Sequence, residues 1–301
     1  MPSFDFEKML QHIEKFRIDS LGLVPPVVVA LAKSPLSREY DLSSVKTFTS
    51  SAAPVDAEIL EEAAKLWPPG ALTINQAWGM TETTCPATLF DPTVRANPAS
   101  VGEVVPNCSI RIVKTDGSGE EVTKANERGE LWVAGPIIFK EYWNKPEATA
   151  ATVHIDPDGT RWLKTGDIAY IDKYEPGGYF YIVDRIKELI KVKAYQVAPA
   201  ELEALLLDNK GIIDVGVCGV TINGEEWPRA YVVPNLDVEQ TEQDIAKWLE
   251  SRVVHYKRLR GGVKFIDAIP KNASGKILRK ILRDQAAKEV GDRKPSESKL
   301  A

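Results

Sequence analysis

The rhythm of apolar residues changes once along this chain, and that change limits the folds open to it. Over 4–18, Phe6, Met9, Leu10, Ile13 and Phe16 recur at helical spacing. A short apolar strand over 21–24 and a Pro25-Pro26 turn follow, then a helix over 26–33, a strand over 45–50 and a helix over 55–66. Pro54 stands near the first turn of that last helix, where Asp56 and Glu58 suit the positive end of its dipole. Strand-helix alternation of this kind calls for a largely parallel sheet covered by helices. From about Gly102 the pattern becomes one of short strands, over 109–113, 129–133 and 162–171, separated by Gly, Asp and Pro turns, as in a small β-rich subdomain. A strand over 179–183 then runs into Asp184-Arg185 without a long linker. Beyond that break lie a helix over 200–207, strands over 213–220 and 230–233, a helix over 241–254, a strand over 263–266 and a last helix over 278–290. Together they form an α+β unit of about a hundred residues.

A chain of 301 residues suggests about two domains, and 44% hydrophobic residues can fill their cores. The 38 basic and 43 acidic residues are interleaved, so the net charge of −5 predicts no nucleic-acid partner. Cys85, Cys108 and Cys218 are far apart and lack metal-ligand spacing, which fits a reducing interior. The longest apolar run, 21–32, is too short to span a bilayer, and the N-terminus lacks the pattern of a signal peptide. A cytoplasmic location is expected. Ser298-Lys299-Leu300 would be a peroxisomal address if it stood at the end, but Ala301 follows it, and Lys299-Leu300-Ala301 also has the look of vector-encoded sequence. The tail from Gly291 is charged and poor in apolar residues.

Four segments concentrate chemistry. Residues 76–82, Gln-Ala-Trp-Gly-Met-Thr-Glu, combine a ring that can lie on a purine, a glycine that permits close approach, a hydroxyl for phosphate and a carboxylate for Mg²⁺. The competing reading is a strand-to-helix turn with a buried Trp and a capping Thr. In 161–172, Asp167 follows a glycine turn at the end of an apolar strand, where a carboxylate can accept ribose hydroxyls or simply serve the turn. Over 181–203, Arg185, Lys187, Lys191 and Lys193 crowd cations that can meet phosphates or line a solvated face. The alternating Ile186, Leu189, Ile190 and Val192 fix where those charges point. Finally, 270–280, Pro-Lys-Asn-Ala-Ser-Gly-Lys-Ile-Leu-Arg-Lys, places Lys276 on a Gly-containing loop, as a cation closing over phosphate or carboxylate requires; the bland reading is a capped loop with exposed lysines. His12, His154 and His255 are scattered and support no hydrolytic triad.

In order and together, these segments resemble the ANL superfamily of adenylate-forming enzymes, within it the 4-coumarate:CoA ligase and luciferase-like acyl-CoA synthetase branch. The supporting strings include VPPVVVALAKSP (24–35), SAAP (51–54), QAWGMTE (76–82), RGELWVAGP (128–136), WLKTGDIAYID (162–172), DRIKELIKVKAYQVAPAELEALL (184–206) and PKNASGKILRK (270–280). The resemblance implies an α/β large-domain remnant with a small β-rich subdomain over 1–183, a hinge at 184–187, an α+β lid domain over 188–290 and a flexible tail. It also implies ATP/AMP, Mg²⁺ and CoA as ligands and a small carboxylic acid, aromatic acids among the candidates, as substrate. Ala52, Ala53 and Trp78 would line the adenine site, with Thr81 and Glu82 facing phosphate and metal and Asp167 and Arg185 holding ribose. Lys187 would be the hinge, Lys191 and Gln196 would lie near the adenylate, Lys193 and Ala194 along the CoA path, and Lys276 would be the adenylation lysine.

The sequence departs from the family at Thr83-Thr84-Cys85 and in three further places. No Gly/Ser/Thr-rich triphosphate loop occurs in residues 1–301, so the first half of the large domain is missing, and a sheet cut there exposes an edge that predicts a homo-oligomer or a complementary N-terminal half as partner. Ala194 stands where the family usually has Gly, which narrows the pantetheine passage, and Ala77-Trp78 replaces the usual Gly-Tyr. Three functions stay open: a CoA ligase or a piece of one, a homologue that no longer adenylates and serves as a binding or split-enzyme partner, and a cleft reused for chemistry without ATP.

Overall fold

Asp5 and Arg17 set the ends of the first helix. In the computed structural model, which describes residues 4–290 apart from 52–54, 56, 85, 92, 93, 95, 96, 98, 194, 273 and 274, the Asp5 carboxylate accepts from the Lys8 backbone N–H at 3.0 Å. Arg17 turns left-handed and its N–H bonds back to Glu14 and Ile13, so α1 runs Phe6–Phe16, shorter than the spacing alone predicts. The expectations placed on Ala52, Ala53, Pro54, Asp56, the Glu58 side chain, Cys85, Ala194 and the tail from Gly291 lie outside the described residues.

The chain folds as two units, Met1–Ile182 and Val183–Ala301. In the first, β1 (Ser20–Leu23), β2 (Thr47–Ser50) and β3 (Thr73–Gln76) form a parallel sheet in that order, with Leu23 opposite Ser50 and Ser50 opposite Gln76. Parallel neighbours need crossovers, which α2 (Pro25–Lys33) and α3 (Ala57–Ala64) supply. Pro25 and Pro26 do not make the turn expected of them. They open α2, at positions whose N–H groups have no intrahelical partner to lose. Leu10, Ile13, Val28, Leu31, Phe48 and Leu60 close the core between sheet and helices, each worth about 1.5–3 kcal/mol for the large side chains.

The rest of that unit is antiparallel. β4 (Trp78–Gly79), β5 (Pro86–Leu89) and β6 (Glu103–Val104) form one small sheet. β7 (Ser109–Val113), β8 (Gly129–Ala134), β10 (Arg161–Ile171) and β11 (Phe180–Arg185) form another in the order β11-β10-β8-β7, and β9 (Val153–Ile155), which follows helix α4 (Pro146–Thr152), pairs with β10. Trp78, Ala87, Leu131, Val133, Ala169 and Phe180 share one apolar cluster, so the short turn strand and the longer sheet are packed as a piece.

In the second unit, β12 (Ile190–Val192) and β13 (Tyr195–Val197) pair as a hairpin, followed by α5 (Pro199–Leu207). β14 (Ile212–Ile222) and β15 (Glu225–Pro234) are joined by Asn223-Gly224, both at positive φ (53° and 78°), the two-residue turn whose twist matches that of the flanking strands. β16 (Val263–Phe265) adds in parallel to β15. α6 (Glu242–Glu250) starts where Thr241 and Asp244 cap each other, and it ends four residues short of the expected 254. α7 (Arg279–Val290) closes the unit, with Leu282 and Ala286 buried.

Candidate functional site

Asp167 does not sit in a turn at a strand's end, as the glycine before it suggests. It lies inside the eleven-residue β10, where the pairing with β8 shifts register between Lys164 and Ile168. Gly166 takes φ +71° and its N–H donates to Glu130 Oε1 at 3.0 Å, while the Asp167 N–H donates to Thr165 Oγ1, also at 3.0 Å. Thr165 in turn donates to the Leu131 carbonyl at 2.6 Å, and Trp132 Nε1 donates to Glu130 Oε2 at 2.8 Å. The result is a braced bulge of the kind that re-aims one side chain out of a regular ladder.

The side chain so aimed meets Trp78. Its indole Nε1–H donates to Asp167 Oδ2 at 2.8 Å, and both residues are buried, at 8% and 4% exposure. The Trp78 ring belongs to the apolar cluster, and its polar edge orients the carboxylate. The indole is thus buried, and Thr83, not Thr81, is the capping residue. Thr83 Oγ1 accepts from the Met80 N–H and donates to the Met80 carbonyl, both at 2.9 Å. Thr81 is exposed. Glu82 is half-buried; its carbonyl accepts from the Phe139 N–H at 2.8 Å and its Oε1 accepts from the Tyr142 hydroxyl. Burial first, then the hydrogen bond to Glu82 and its charge, push the Tyr142 phenol above its usual range, so it stays a donor. Tyr142, sixty positions from Glu82, carries no local signal that sequence reasoning could have found.

Within the second unit, Ile190 and Val192 point inward and Lys191 outward, as alternation about a strand requires. Lys191 lies directly across the hairpin from Gln196, so both share one face. The Lys191 backbone N–H is fixed by Glu226 at 2.8 Å. Lys193 occupies the turn at φ +54° with its ammonium 3.8 Å from Glu225. Arg185 and Lys187 are exposed. Lys276 stands in a loop pinched by a bridge between Lys271 and Ile277; its N–H donates to Asn272 Oδ1 at 2.9 Å and its carbonyl accepts from the Asn272 N–H at 3.0 Å. The sequence-predicted residues thus form three groups: Trp78, Thr81, Glu82 and Asp167 on the first unit, the Lys191–Gln196 hairpin face and the Lys276 loop on the second.

The AMP-binding enzyme family model matches residues 1–143, and that of the AMP-binding enzyme C-terminal domain matches 201–276. The chain belongs to the AMP-binding, adenylate-forming enzymes. It is 43% identical over 293 residues to the acyl-CoA synthetase ACTT5 of Alternaria alternata, covering 96% of this chain and 49% of that protein. To 4-coumarate–CoA ligase 2 of rice (Oryza sativa subsp. japonica) it is 45% identical, covering 95% of this chain and 49% of the relative. The ATP-bound structure of MatB from Rhodopseudomonas palustris superposes with a TM-score of 0.84 at 28% identity, over 97% of this chain and 55% of that one. The chain therefore spans about half the length of the relatives it matches. Its fold is the mixed α/β architecture of those enzymes. No described helix is long and apolar enough to cross a membrane.

Proposed function

We propose that this chain provides the ribose-gripping, lysine-bearing portion of an acyl-CoA ligase. In the first half-reaction an oxygen of a carboxylic acid attacks the α-phosphorus of ATP, pyrophosphate leaves, and an acyl-adenylate forms. In the second, the CoA thiol gives up its proton and attacks the acyl carbon; the thioester forms and AMP leaves. The observation that carries the reading is the Asp167 carboxylate, held on a braced bulge by Trp78 in a chain of the AMP-binding family. Each carboxylate oxygen has two lone pairs, so Oδ2 can accept a ribose hydroxyl beside the indole N–H. Arg185 joins Asp167 at the ribose, the hairpin face of Lys191 and Gln196 serves the adenylate, Lys193 and Ala194 the CoA path, Ala52, Ala53 and Trp78 the adenine, Thr81 the phosphates, and Lys187 the hinge between half-reactions. Lys276 supplies positive charge where negative charge builds up at the α-phosphate.

Among the described residues no three or more His, Cys, Asp or Glu gather as a metal cage. Mg²⁺ on a triphosphate needs only one or two protein carboxylates beside the phosphates. Glu82, a single half-buried carboxylate steadied by Tyr142, fits that demand. When bound, the ion would neutralise phosphate charge. Glu82 would hold it while Tyr142 keeps the carboxylate oriented.

Calorimetric titration of the chain with ATP and Mg²⁺, together with thioester detection over a panel of acids, tests the reading. Nucleotide binding and a thioester lowered on the order of 100-fold by Lys276→Ala are expected. No nucleotide binding and no thioester would exclude a ligase that works with this chain alone. The half-length match favours a second reading, a split-enzyme or regulatory partner working with a complementary half or a second copy. It predicts activity only when a chain bearing the other half is added. The cysteine pattern favours the cytosol as its compartment, or the peroxisome if Ser298-Lys299-Leu300 is the native C-terminus.

A further inference from the structure

The loop that carries Lys276 is anchored at both ends within the second unit. Ahead of it, the Lys271 ammonium pairs with Asp214 of β14 at 2.6 Å. Behind it, Arg279, the first residue of α7, makes a two-bond fork to Glu203 of α5, at 2.8 and 2.9 Å. Glu203 is buried and also accepts from the Val217 N–H at 2.7 Å. Its position is therefore fixed from strand, helix and guanidinium at once.

The same network reaches the segment proposed as the hinge. The residue before α5, Ala198, has no side chain with which to cap the helix. Asp184 does so from outside, its Oδ2 accepting from the Ala200 N–H at 3.0 Å while its Oδ1 accepts from the Arg185 N–H at 2.7 Å. At the other end of the segment, Glu188 pairs with Arg283 at 2.7 Å and lies 3.8 Å from Arg279 Nε. Burial raises the Asp184 and Glu203 carboxyls, an effect the neighbouring Arg279 charge offsets only in part.

A buried ion pair is a poor way to gain stability, since desolvation offsets much of the attraction. A bidentate guanidinium–carboxylate fork does fix an angle, which apolar packing or a lysine does not. We propose that Arg279 is a positioning residue for Lys276: through Glu203 and Glu188 it fixes the start of α7, and with it the lysine loop, to α5 and to the residue that follows the hinge. This rests on the ligase reading for what Lys276 does, but not for how it is held.

Arg279→Lys is the informative variant, because it keeps a cation beside buried Glu203 and loses the fork. Hydrogen exchange read by mass spectrometry should quicken in both 270–278 and 184–188, with the interior of β14–β15 unchanged. Formation of acyl-adenylate should fall on the order of 100-fold, as small misplacements of a reacting group do, while thioester formation from supplied acyl-adenylate stays within about twofold. Arg279→Ala should show the same pattern more strongly. If it does not fold, Arg279→Lys alone decides. Faster exchange confined to α7, with 184–188 and the loop as in the parent, overturns the proposal; so does an equal loss in both half-reactions. Should the parent chain form no adenylate at all, the reading of it as a ligase acting alone falls and the exchange pattern still judges the brace.

Discussion

The indole N–H of Trp78 reaches Asp167 Oδ2 at 2.8 Å across 89 positions of sequence. Two motifs that looked like separate contributors to a nucleotide site are thus one device, an aromatic donor in the core setting the direction of a carboxylate on a bulge. Trp78 is 8% exposed and Asp167 4%, so water cannot replace the bond if it is removed.

Trp78→Phe keeps a ring in the apolar cluster and deletes the donor. Leaving a buried acceptor short of a partner costs about 1–3 kcal/mol. The melting temperature should fall accordingly, and affinity for AMP should fall with it if Asp167 grips the ribose. A variant that melts with the parent and binds AMP equally well would detach Trp78 from the site.

Gly166 is the pivot of that bulge, at φ +71°, and a Cβ built there meets nothing within 4 Å. Gly166→Ala therefore suffers backbone strain without a clash, roughly 1–2 kcal/mol for a left-handed L-residue. Denaturant melts should show a loss of that size. A larger loss would mean that the bulge rearranges, and near-zero loss would mean that the left-handed backbone is not needed.

Asp41 should set part of the acid limb of stability. Its carboxylate accepts from the Ser43 N–H at 2.9 Å and from Arg17 at 2.6 Å. Hydrogen bonds from Ser43 first, then Arg17, hold its pKa at about 2 against an ordinary 3.8. A folded value below the unfolded one means the contribution is complete above 3.8 and is lost as pH falls through about 2. Asp41→Asn should flatten the fall in melting temperature across that window and leave the curve's shape above pH 5 as in the parent. An unchanged acid limb would show that Asp41 is not linked to folding.

The sequence made some of this plain and hid the rest for physical reasons. Period-2 and period-3.6 patterns found most strands and helices, because Leu10, Phe48 and Ile190 must face a core wherever the neighbours lie. Where caps decide, the pattern ran past the ends: α1 stops at Arg17's left-handed turn and α6 stops at Glu250, although apolar residues continue in both cases. Local motifs marked Asp167 and Lys276 as positions of interest. They could not mark Tyr142, Glu203 or Arg279, whose partners lie 60 and 76 positions away and are brought together only by the fold. The glycine before Asp167 spells a turn, and a bulge inside a strand has the same local spelling.

Cys218 offers a probe of opening in the second unit. It is 1% exposed on β14, in a cluster with Val220, Tyr231, Ile269 and Leu282. Burial, only partly offset by Arg229, Arg283 and Arg279, pushes its thiol up to about 12. The thiolate is the reactive species, so Cys218 in the folded chain should resist iodoacetamide at pH 8 twice over, by access and by protonation. Peptide-resolved mass spectrometry should find Cys218 unlabelled in native buffer. Its labelling should rise along the same denaturant curve as the loss of circular dichroism, with the slope of global unfolding. Rapid native labelling, or labelling that runs ahead of unfolding, would place a local opening in the sheet that bears Asp214 and Val217, the strand against which the Lys276 loop and Glu203 are anchored.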